Sequence, residues 1–220
     1  DGKIADQVNI RYGYRSFRVD AGQGFFLNGK TYPLHGVCRH QDRQDKGWAI
    51  SRQDQDDDLD LICEIGANTV RLAHYQHDQY FYDCCDEAGL VIWAEIPFIS
   101  AYMDSPAARA NVISQMTELV LQNYHHPAIA FWGLSNEITV AGESENLYQD
   151  LCDLQNLVKK LDPLRLTTMA HLGVVEMTSP HVFISDVLAY NHYFGWYVGE
   201  ISDNGPWLDA FHQNNPDRPL

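Results

Sequence analysis

Basic residues are scarce in this sequence. Its 220 residues include 15 Lys and Arg against 30 Asp and Glu, which gives a formal net charge of −15. A surface this acidic repels phosphate groups, so nucleic acids and anionic membranes are excluded as favourable partners. Charged residues make up 20% of the chain and hydrophobic residues 45%. This composition predicts a folded domain with a sizeable core and excludes a disordered chain.

Long apolar runs and paired cysteine motifs are also missing. No stretch reaches the roughly 20 apolar residues of a membrane-spanning helix. No signal peptide is recognisable, and the sequence leaves the cellular compartment open. The five cysteines are odd in number and form no CxxC motif. We interpret them as reduced, mostly buried thiols, which excludes a disulfide framework and a zinc site.

Two kinds of pattern follow each other along the chain. Residues 9–20 alternate apolar and polar side chains, and glycine and Asn-Gly turns follow in residues 21–30, which predicts β structure. Short apolar runs then predict six strands, at residues 32–37, 68–72, 90–95, 129–134, 166–171 and 182–191. Segments with helical spacing lie between most of these runs, at residues 54–65, 79–88, 107–124 and 145–161.

Residues at the segment boundaries fit this division. Asp54 and Ser105 are predicted N-caps, and Gly66 and Gly89 stand where helix C-caps are expected. The connection over residues 173–181 shows no helical stripe. Strands that alternate with helices predict parallel βαβ units, either in an open doubly wound sheet or in a (β/α)₈ barrel. The GxGxxG and Walker phosphate-binding motifs are absent.

Polar residues at the strand ends decide between these two architectures. Each predicted strand ends in, or is followed closely by, such residues: Arg39 and His40, Arg71 and His74, Glu95, Asn136 and Glu137, His171, and Asn191 with His192 and Tyr193. All strands of a barrel end at one mouth, whereas a doubly wound sheet gathers ligands at a single crevice. The fold class predicted here is therefore α/β, a (β/α)₈ TIM barrel with about six of its eight strands in this chain.

Several of these residues also have a purely structural interpretation. Arg71 follows an apolar run, so it needs an anionic partner, either in a structural ion pair or in a carboxylate at the barrel mouth. We favour the carboxylate at the mouth. His74 and His77 form an isolated HxxH pair, which is too weak a signal to predict a metal site. Trp132 lies in an apolar strand and is expected in the core.

The segment FWGLSNEI, residues 131–138, resembles the fourth barrel strand of glycosidases that use two catalytic glutamates. Three further segments narrow the resemblance to glycoside hydrolase family 2, namely FFLNGKTYPLHGVCRHQD, GANTVRLAHYQHDQYFYDCCDEAGLVIWAEIP and YNHYFGWY. The resemblance covers residues from about 9 to 200, and its four segments occur in the family's order. The resemblance implies a retaining β-glycosidase that acts on carbohydrate by double displacement.

The resemblance also implies roles for individual residues. Glu137 would be the general acid/base, protonated when the glycosidic bond breaks and acting as base toward water afterwards. Asn136 would bind the sugar 2-hydroxyl, and Arg71 and Tyr193 would hold the nucleophilic carboxylate. Further substrate contacts are expected from His74, His40, Glu95 and Asn191, with Trp196 as a stacking platform.

The sugar is inferred from the same resemblance. LAHYQH together with WGLSNEI is most similar to the bacterial β-galactosidase branch, which implies hydrolysis of terminal β-galactosides. The alternatives are a β-glucuronidase or another family 2 β-glycosidase, and a barrel that binds carbohydrate without catalysis. No cofactor is expected. Some β-galactosidases of this family hold magnesium with a His where Pro97 stands here, so no magnesium site is expected either.

The resemblance identifies no residue of this sequence as the catalytic nucleophile. In the family the nucleophilic Glu ends the seventh strand, and residues 217–220 resemble the lead-in to that strand. We expect residues 1–24 to be a β linker from a preceding sandwich domain and residues 25–220 to be an incomplete barrel. The nucleophile is then expected beyond Leu220, and these residues alone should show no turnover. Six strands leave two open edges, so the alternative to a longer chain is a homo-oligomer that pairs those edges.

Overall fold

A computed structural model describes residues 2–220 of the chain and contains two sheets. A small antiparallel sheet consists of β1 (Phe17–Asp20), β2 (Gly24–Leu27) and β3 (Lys30–Thr31). The second sheet consists of β4 (Gly36–Arg39), β5 (Thr69–Leu72), β6 (Val91–Glu95), β7 (Ile129–Asn136), β8 (Leu166–Leu172) and β9 (Val187–Asn191). The α-helices are α1 (Arg52–Glu64), α2 (Gln79–Ala88), α3 (Pro106–Asn123), α4 (Glu145–Leu161) and α5 (Asn204–Asn214).

The six strands of the larger sheet are parallel and stand in chain order from β4 to β9. Each strand pairs with the next one along the chain, so the order never reverses. A doubly wound sheet requires such a reversal, and a barrel does not. The sheet therefore curls as part of a (β/α)₈ barrel, as predicted. The backbone oxygen of Pro219 accepts a hydrogen bond from the Leu188 amide at 3.0 Å, so the last described residues run beside β9.

Capping side chains define where the helices begin. Ser105 is the N-cap of α3, as predicted, and accepts a hydrogen bond from the Ala108 amide. The helix begins at Pro106, one residue before the predicted start. Asp54 is not the N-cap of α1, because Ser51 occupies that position and Asp54 is the third helical residue. The two side chains form a capping box in which Asp54 accepts from the Ser51 amide at 2.8 Å. Gly89 ends α2 in the left-handed conformation, with φ of 71°.

The predicted strand boundaries were least accurate at the two ends of the larger sheet. The predicted strand at residues 32–37 begins late, at Gly36, because the Tyr32 amide continues the hairpin by donating to Phe25 and Pro33 has no amide to donate. The predicted strand at 182–191 begins at Val187. A short 3₁₀ turn, Pro180–Phe183, precedes it, and Val182 packs in a separate apolar cluster with Leu188 and Phe211.

The main hydrophobic core lies between the outer face of the sheet and the helices. Trp132 belongs to it, as predicted, and is fully buried, with its indole nitrogen donating to Asp162 Oδ2 at 3.0 Å. No helix of the described residues is long and apolar enough to cross a membrane. The first described residues add little to this core, since no strand forms before Phe17 although residues 9–16 were predicted to be β structure.

Two expectations about buried groups were wrong. The cysteines are free, but Cys38 and Cys63 are exposed and only Cys85 is fully buried, because an apolar run does not fix which face of an element a residue occupies. The run His-His-Pro at residues 125–127 predicts that His126 lies at a solvated helix end. It is buried instead, and its Nδ1 lies 2.7 Å from Asp86 Oδ2, which provides a charged partner inside the protein.

The hairpin of β1 and β2 closes the N-terminal end of the parallel strands. Phe25 is buried against Val91, Ala130 and Phe131, and its ring lies 5.8 Å from that of Phe131. The hairpin thus covers the end of the barrel opposite to the strand ends that carry the polar residues. The predicted division at residue 24 falls inside this hairpin, and the division itself stays a prediction.

Phe25→Ala should lower the free energy of unfolding of the whole protein by about 3 kcal/mol, because it removes a buried ring and leaves a cavity. Turnover by the folded fraction should stay unchanged, since the hairpin lies away from the polar strand ends. Thermal unfolding measured beside steady-state kinetics checks both expectations. Leu164→Ala, at a position 84% exposed, is the control, and equal stability of the two variants would show that Phe25 does not stabilise the covered end of the barrel.

Candidate active site

A buried ion pair forms the centre of the polar cluster at the strand ends. Arg71, from β5, donates from Nε to Glu95 Oε2 at 2.9 Å and from Nη2 to Glu95 Oε1 at 3.0 Å. Glu95 ends β6 and has no exposed surface. The anionic partner expected for Arg71 is therefore present, and it reaches the guanidinium with two parallel hydrogen bonds.

Asparagine side chains extend this pair to Glu137. Asn136 Oδ1 accepts from Arg71 Nη2 at 2.8 Å and from Asn191 Nδ2 at 2.9 Å. The same Asn191 nitrogen donates to Glu137 Oε1 at 2.7 Å. Side chains from β5, β6, β7 and β9 thus form one continuous hydrogen-bonded network. Within residues 2–220, the side-chain nitrogen of Asn136 has no hydrogen-bond partner and is available to a ligand.

The backbone at the end of β7 is held in an uncommon conformation. Glu137 has φ of 50°, in the left-handed region that residues other than glycine seldom adopt. Its amide donates to the Ala170 oxygen at 2.8 Å, while the Asn136 amide donates to the Phe98 oxygen at 3.0 Å. The loop after β6 and strand β8 therefore hold the dipeptide from both sides. Such conformations cost of order 1–3 kcal/mol and cluster at functional sites.

Gly133 makes room for the ion pair. A Cβ atom at this position would lie 2.5 Å from Glu95 Cβ and would also collide with the Trp93 indole nitrogen. The Trp93 ring in turn lies 4.4 Å from the Arg71 guanidinium carbon, a cation–π distance. Only glycine at 133 lets Trp93 and Glu95 pack against β7 in this way. An isolated glycine inside a strand is the sequence signal for such close approach, and the sequence analysis did not use it.

The two histidines predicted at the mouth lie next to this network. His74 Nδ1 is hydrogen-bonded to Glu95 Oε1, and the His40 ring is exposed and meets the His74 ring edge-on at 5.1 Å. His77 points elsewhere. Its Nδ1 lies 3.0 Å from Arg39 and its Nε2 lies 3.2 Å from the Ala73 oxygen, and burial together with the Arg39 charge lowers its pKa to about 3.

Aromatic residues of the loop after β9 form the outer edge of the cluster. Partial burial raises the pKa of Tyr193, and the negative charge of the nearby Glu137 raises it further. Tyr197, which the sequence analysis missed, meets Tyr193 edge-on at 5.1 Å. Trp196 is 80% exposed and makes no hydrogen bond to the network.

Two predicted strand-end residues do not reach the mouth. Arg39 donates to Asp58 Oδ2 at 2.9 Å and stacks on Phe81, on the helix side of the sheet. His171 is buried beside Tyr190 on that same side, and burial followed by the charge of His181 lowers its pKa to about 4. Successive strand residues alternate between faces, so a polar residue at a strand end points into the barrel only about half of the time.

One group of described residues has the spacing of a metal site. Side-chain atoms of Asp83, Asp86 and His126 lie within 4.8 Å of one another, on α2 and before β7. Asp86 already accepts from the Ala128 amide at 2.8 Å and pairs with His126. Through these contacts Asp86 and His126 have a structural role, since they connect α2 to the start of β7.

The family model of the glycosyl hydrolases family 2 TIM barrel domain matches residues 17–220. The chain belongs to glycosyl hydrolase family 2. The resemblance drawn from the sequence segments is thereby confirmed, and the curled six-stranded sheet is part of that family's catalytic barrel.

Relatives within family 2 include proteins described for two different sugars. A β-glucuronidase of Bacteroides fragilis is 41% identical over 99% of this chain. The crystal structure of an FMN-binding β-glucuronidase from Facaelibacterium prausnitzii L2-6 superposes with a TM-score of 0.93, at 53% identity over 94% of the chain. A putative β-galactosidase structure from B. fragilis gives 0.94, at 39% identity over 99%. The chain spans 31% or 32% of the length of these three relatives.

Gly133→Ala should reduce kcat/KM of the whole family 2 protein on a β-glycoside by about 10²-fold, because the added methyl group displaces Glu95 and Trp93 and moves Arg71 with them. Gly205→Ala is the control, since a Cβ there meets no atom within 4 Å. Steady-state kinetics and thermal unfolding of both variants make the comparison. Full activity of Gly133→Ala would show that the close packing at 133 is not needed for the site.

Proposed function

We propose that the whole protein is a retaining exo-β-glycosidase with Glu137 as its general acid/base. The observation that carries the proposal is the network in which Asn191 and Asn136 connect Glu137 to the Arg71–Glu95 pair. It presents a partly exposed carboxyl group with one oxygen held by an amide, next to a guanidinium and a free amide nitrogen. A carboxyl group for the leaving oxygen and a donor for the sugar 2-hydroxyl are two of the groups that glycosidic cleavage uses.

In the first step Glu137 gives its proton to the glycosidic oxygen while a second carboxylate attacks the anomeric carbon. In the second step Glu137 takes a proton from water, which attacks the same carbon and releases the sugar. Asn136 Nδ2 donates to the sugar 2-hydroxyl, an interaction that strengthens as positive charge develops on the ring. His74 and His40 contact other hydroxyl groups, and Trp196 offers an exposed ring for stacking.

The second carboxylate of this mechanism does not come from the network. Retaining enzymes place their two carboxyl groups about 5–5.5 Å apart, and the buried Glu95 has both oxygens occupied by Arg71 and His74. We therefore propose that the nucleophile lies beyond Leu220, on a seventh strand beside β9, where the Pro219 oxygen already pairs with Leu188. Arg71 Nη1 and Tyr193 would hold that nucleophile. The described residues alone are then inactive.

The two candidate substrates are a β-glucuronide and a β-galactoside, and we propose the β-glucuronide as the preferred one. This proposal is supported by the relatives reported above, because two of those three proteins are described as β-glucuronidases. The β-galactoside is the second candidate, favoured by the putative β-galactosidase from B. fragilis and by the motif LAHYQH. Arg71 is the cation of the described network, and Glu95 neutralises it, so a cation for the glucuronide carboxylate is expected from other residues.

Glu137→Gln should lower turnover of an unactivated β-glycoside by about 10²–10⁴-fold, because the amide cannot donate the proton that the leaving oxygen needs. Nitrophenyl glycosides should lose less in the first step, and azide should restore turnover by attacking the glycosyl-enzyme in place of activated water. Glu145→Gln, at the first residue of α4, is the control and should be unaffected. Retention of full activity by Glu137→Gln would refute the assignment.

The whole protein should hydrolyse nitrophenyl β-glucuronide with a kcat/KM at least about 10²-fold above that for nitrophenyl β-galactoside, because a site that pairs the sugar carboxylate leaves its own cation unpaired when that carboxylate is missing. Added salt should raise KM for the glucuronide and leave the galactoside KM nearly constant. Parallel kinetics on both substrates at two ionic strengths make the test. A higher kcat/KM on the galactoside would restore the assignment that the sequence motifs favoured.

A further inference from the structure

We infer that Glu95 is a positioning residue that prepares Arg71 and His74 for the substrate and does not touch the sugar itself; the inference rests on the proposed glycosidase function. Its position at the end of β6 made it a candidate substrate contact in the sequence. The structure gives it no exposed surface. Oε2 accepts from Arg71 Nε, and Oε1 accepts from Arg71 Nη2 and is hydrogen-bonded to His74 Nδ1.

Glu95 determines which edge of Arg71 is left for a ligand. The carboxylate occupies Nε and one hydrogen of Nη2, and Asn136 accepts from Nη2 as well. The Nη1 nitrogen has one contact, to Asn191 Oδ1 at the long distance of 3.4 Å. A planar guanidinium held along one edge and stacked on Trp93 can present only its Nη1 side to another group. That side is the one available to the nucleophilic carboxylate of the proposed mechanism.

Glu95 also determines the tautomer of His74. An ionised carboxylate only accepts hydrogen bonds, so the proton of a neutral His74 lies on Nδ1. The 3.3 Å distance between His74 Nδ1 and Arg71 Nη2 then brings two donors together and is not a hydrogen bond. Nε2 is left without a proton and without a partner among residues 2–220, and the side chain is 25% exposed. His74 therefore offers an acceptor to a sugar hydroxyl.

A second buried ion pair provides a matched control for stability. Asp162 is 2% exposed and accepts from Arg165 Nη1 at 2.7 Å and from the Trp132 indole nitrogen at 3.0 Å. It follows α4 and lies near the N-terminal ends of β7 and β8, on the side away from the mouth. Asp162→Asn removes the same charge from a similar environment, and it should change stability without changing the kinetic constants of the folded enzyme.

The experiment compares Glu95→Gln, Arg71→Lys, the double variant and Asp162→Asn in the whole enzyme, on whichever nitrophenyl glycoside it hydrolyses. Glu95→Gln should lower kcat by about 10²-fold with little change in KM, since displaced groups act mainly in the transition state. The double variant should lose clearly less activity than the product of the two single effects, because Glu95 acts in part through the Arg71 geometry and in part through His74. Glu95→Asp, which keeps the charge, should recover part of the loss.

Three results would overturn the inference. Glu95→Gln could retain normal kcat, its effect could multiply with that of Arg71→Lys, or its kinetic loss could be matched by Asp162→Asn. Thermal unfolding identifies variants that do not fold, and Glu95→Asp then carries the same comparison with Arg71→Lys. If the unsubstituted enzyme hydrolyses β-glycosides and Glu137→Gln abolishes this, failure at Glu95 leaves the proposed function standing. Absence of hydrolysis by the unsubstituted enzyme refutes both.

Discussion

The Arg71 guanidinium is a permanent charge placed where little water reaches it, and Glu95 is the group that compensates its burial. Leaving such a charge unpaired costs several kcal/mol. Other features of the site follow from that pairing. Gly133 clears the space that Glu95 and Trp93 occupy, Asn136 takes the hydrogen that Glu95 leaves on Nη2, and Asn191 connects this arrangement to Glu137. The side chain of Glu137, the proposed acid/base, is thus oriented by an arrangement that first of all has to neutralise the buried charge of Arg71.

Local patterns predicted much of this fold. The helices Gln79–Ala88 and Glu145–Leu161 were predicted to the residue, because both segments have clear apolar spacing and Gly89 marks the end of the first. Strand–helix alternation together with polar strand ends gave the barrel order. The position of Arg71 after an apolar run predicted that it has an anionic partner, but did not predict that Glu95 is that partner.

Features that depend on register or on distant packing were not predictable in this way. Arg39 and His171 lie within one residue of a strand end, as Arg71 and Glu95 do. They nevertheless face the helices, because sheet register fixes which alternate side chains point into the barrel. The burial of His126 depends on Asp86, which lies 40 positions earlier. The role of Gly133 becomes visible only once Trp93 is placed beside it. Each of these features depends on a contact between two distant segments of the chain. The residue pattern of a single segment does not predict such a contact.

The span of the hydrogen bonds around Glu137 has a consequence for how the protein is made. Arg71 and Asn136 are 65 positions apart, Asn191 and Glu137 are 54 apart, and Arg71 and Asn191 are 120 apart. Contacts of such long range form late, because the intervening chain must be ordered first. A ribosome that has released β4 through β8 has produced helices and a partial core, while the carboxyl group of Glu137 still lacks its amide donor. The hydrogen-bonded network that holds Glu137 is therefore complete only when β9 has docked, so the candidate site is assembled after the rest of the described sheet.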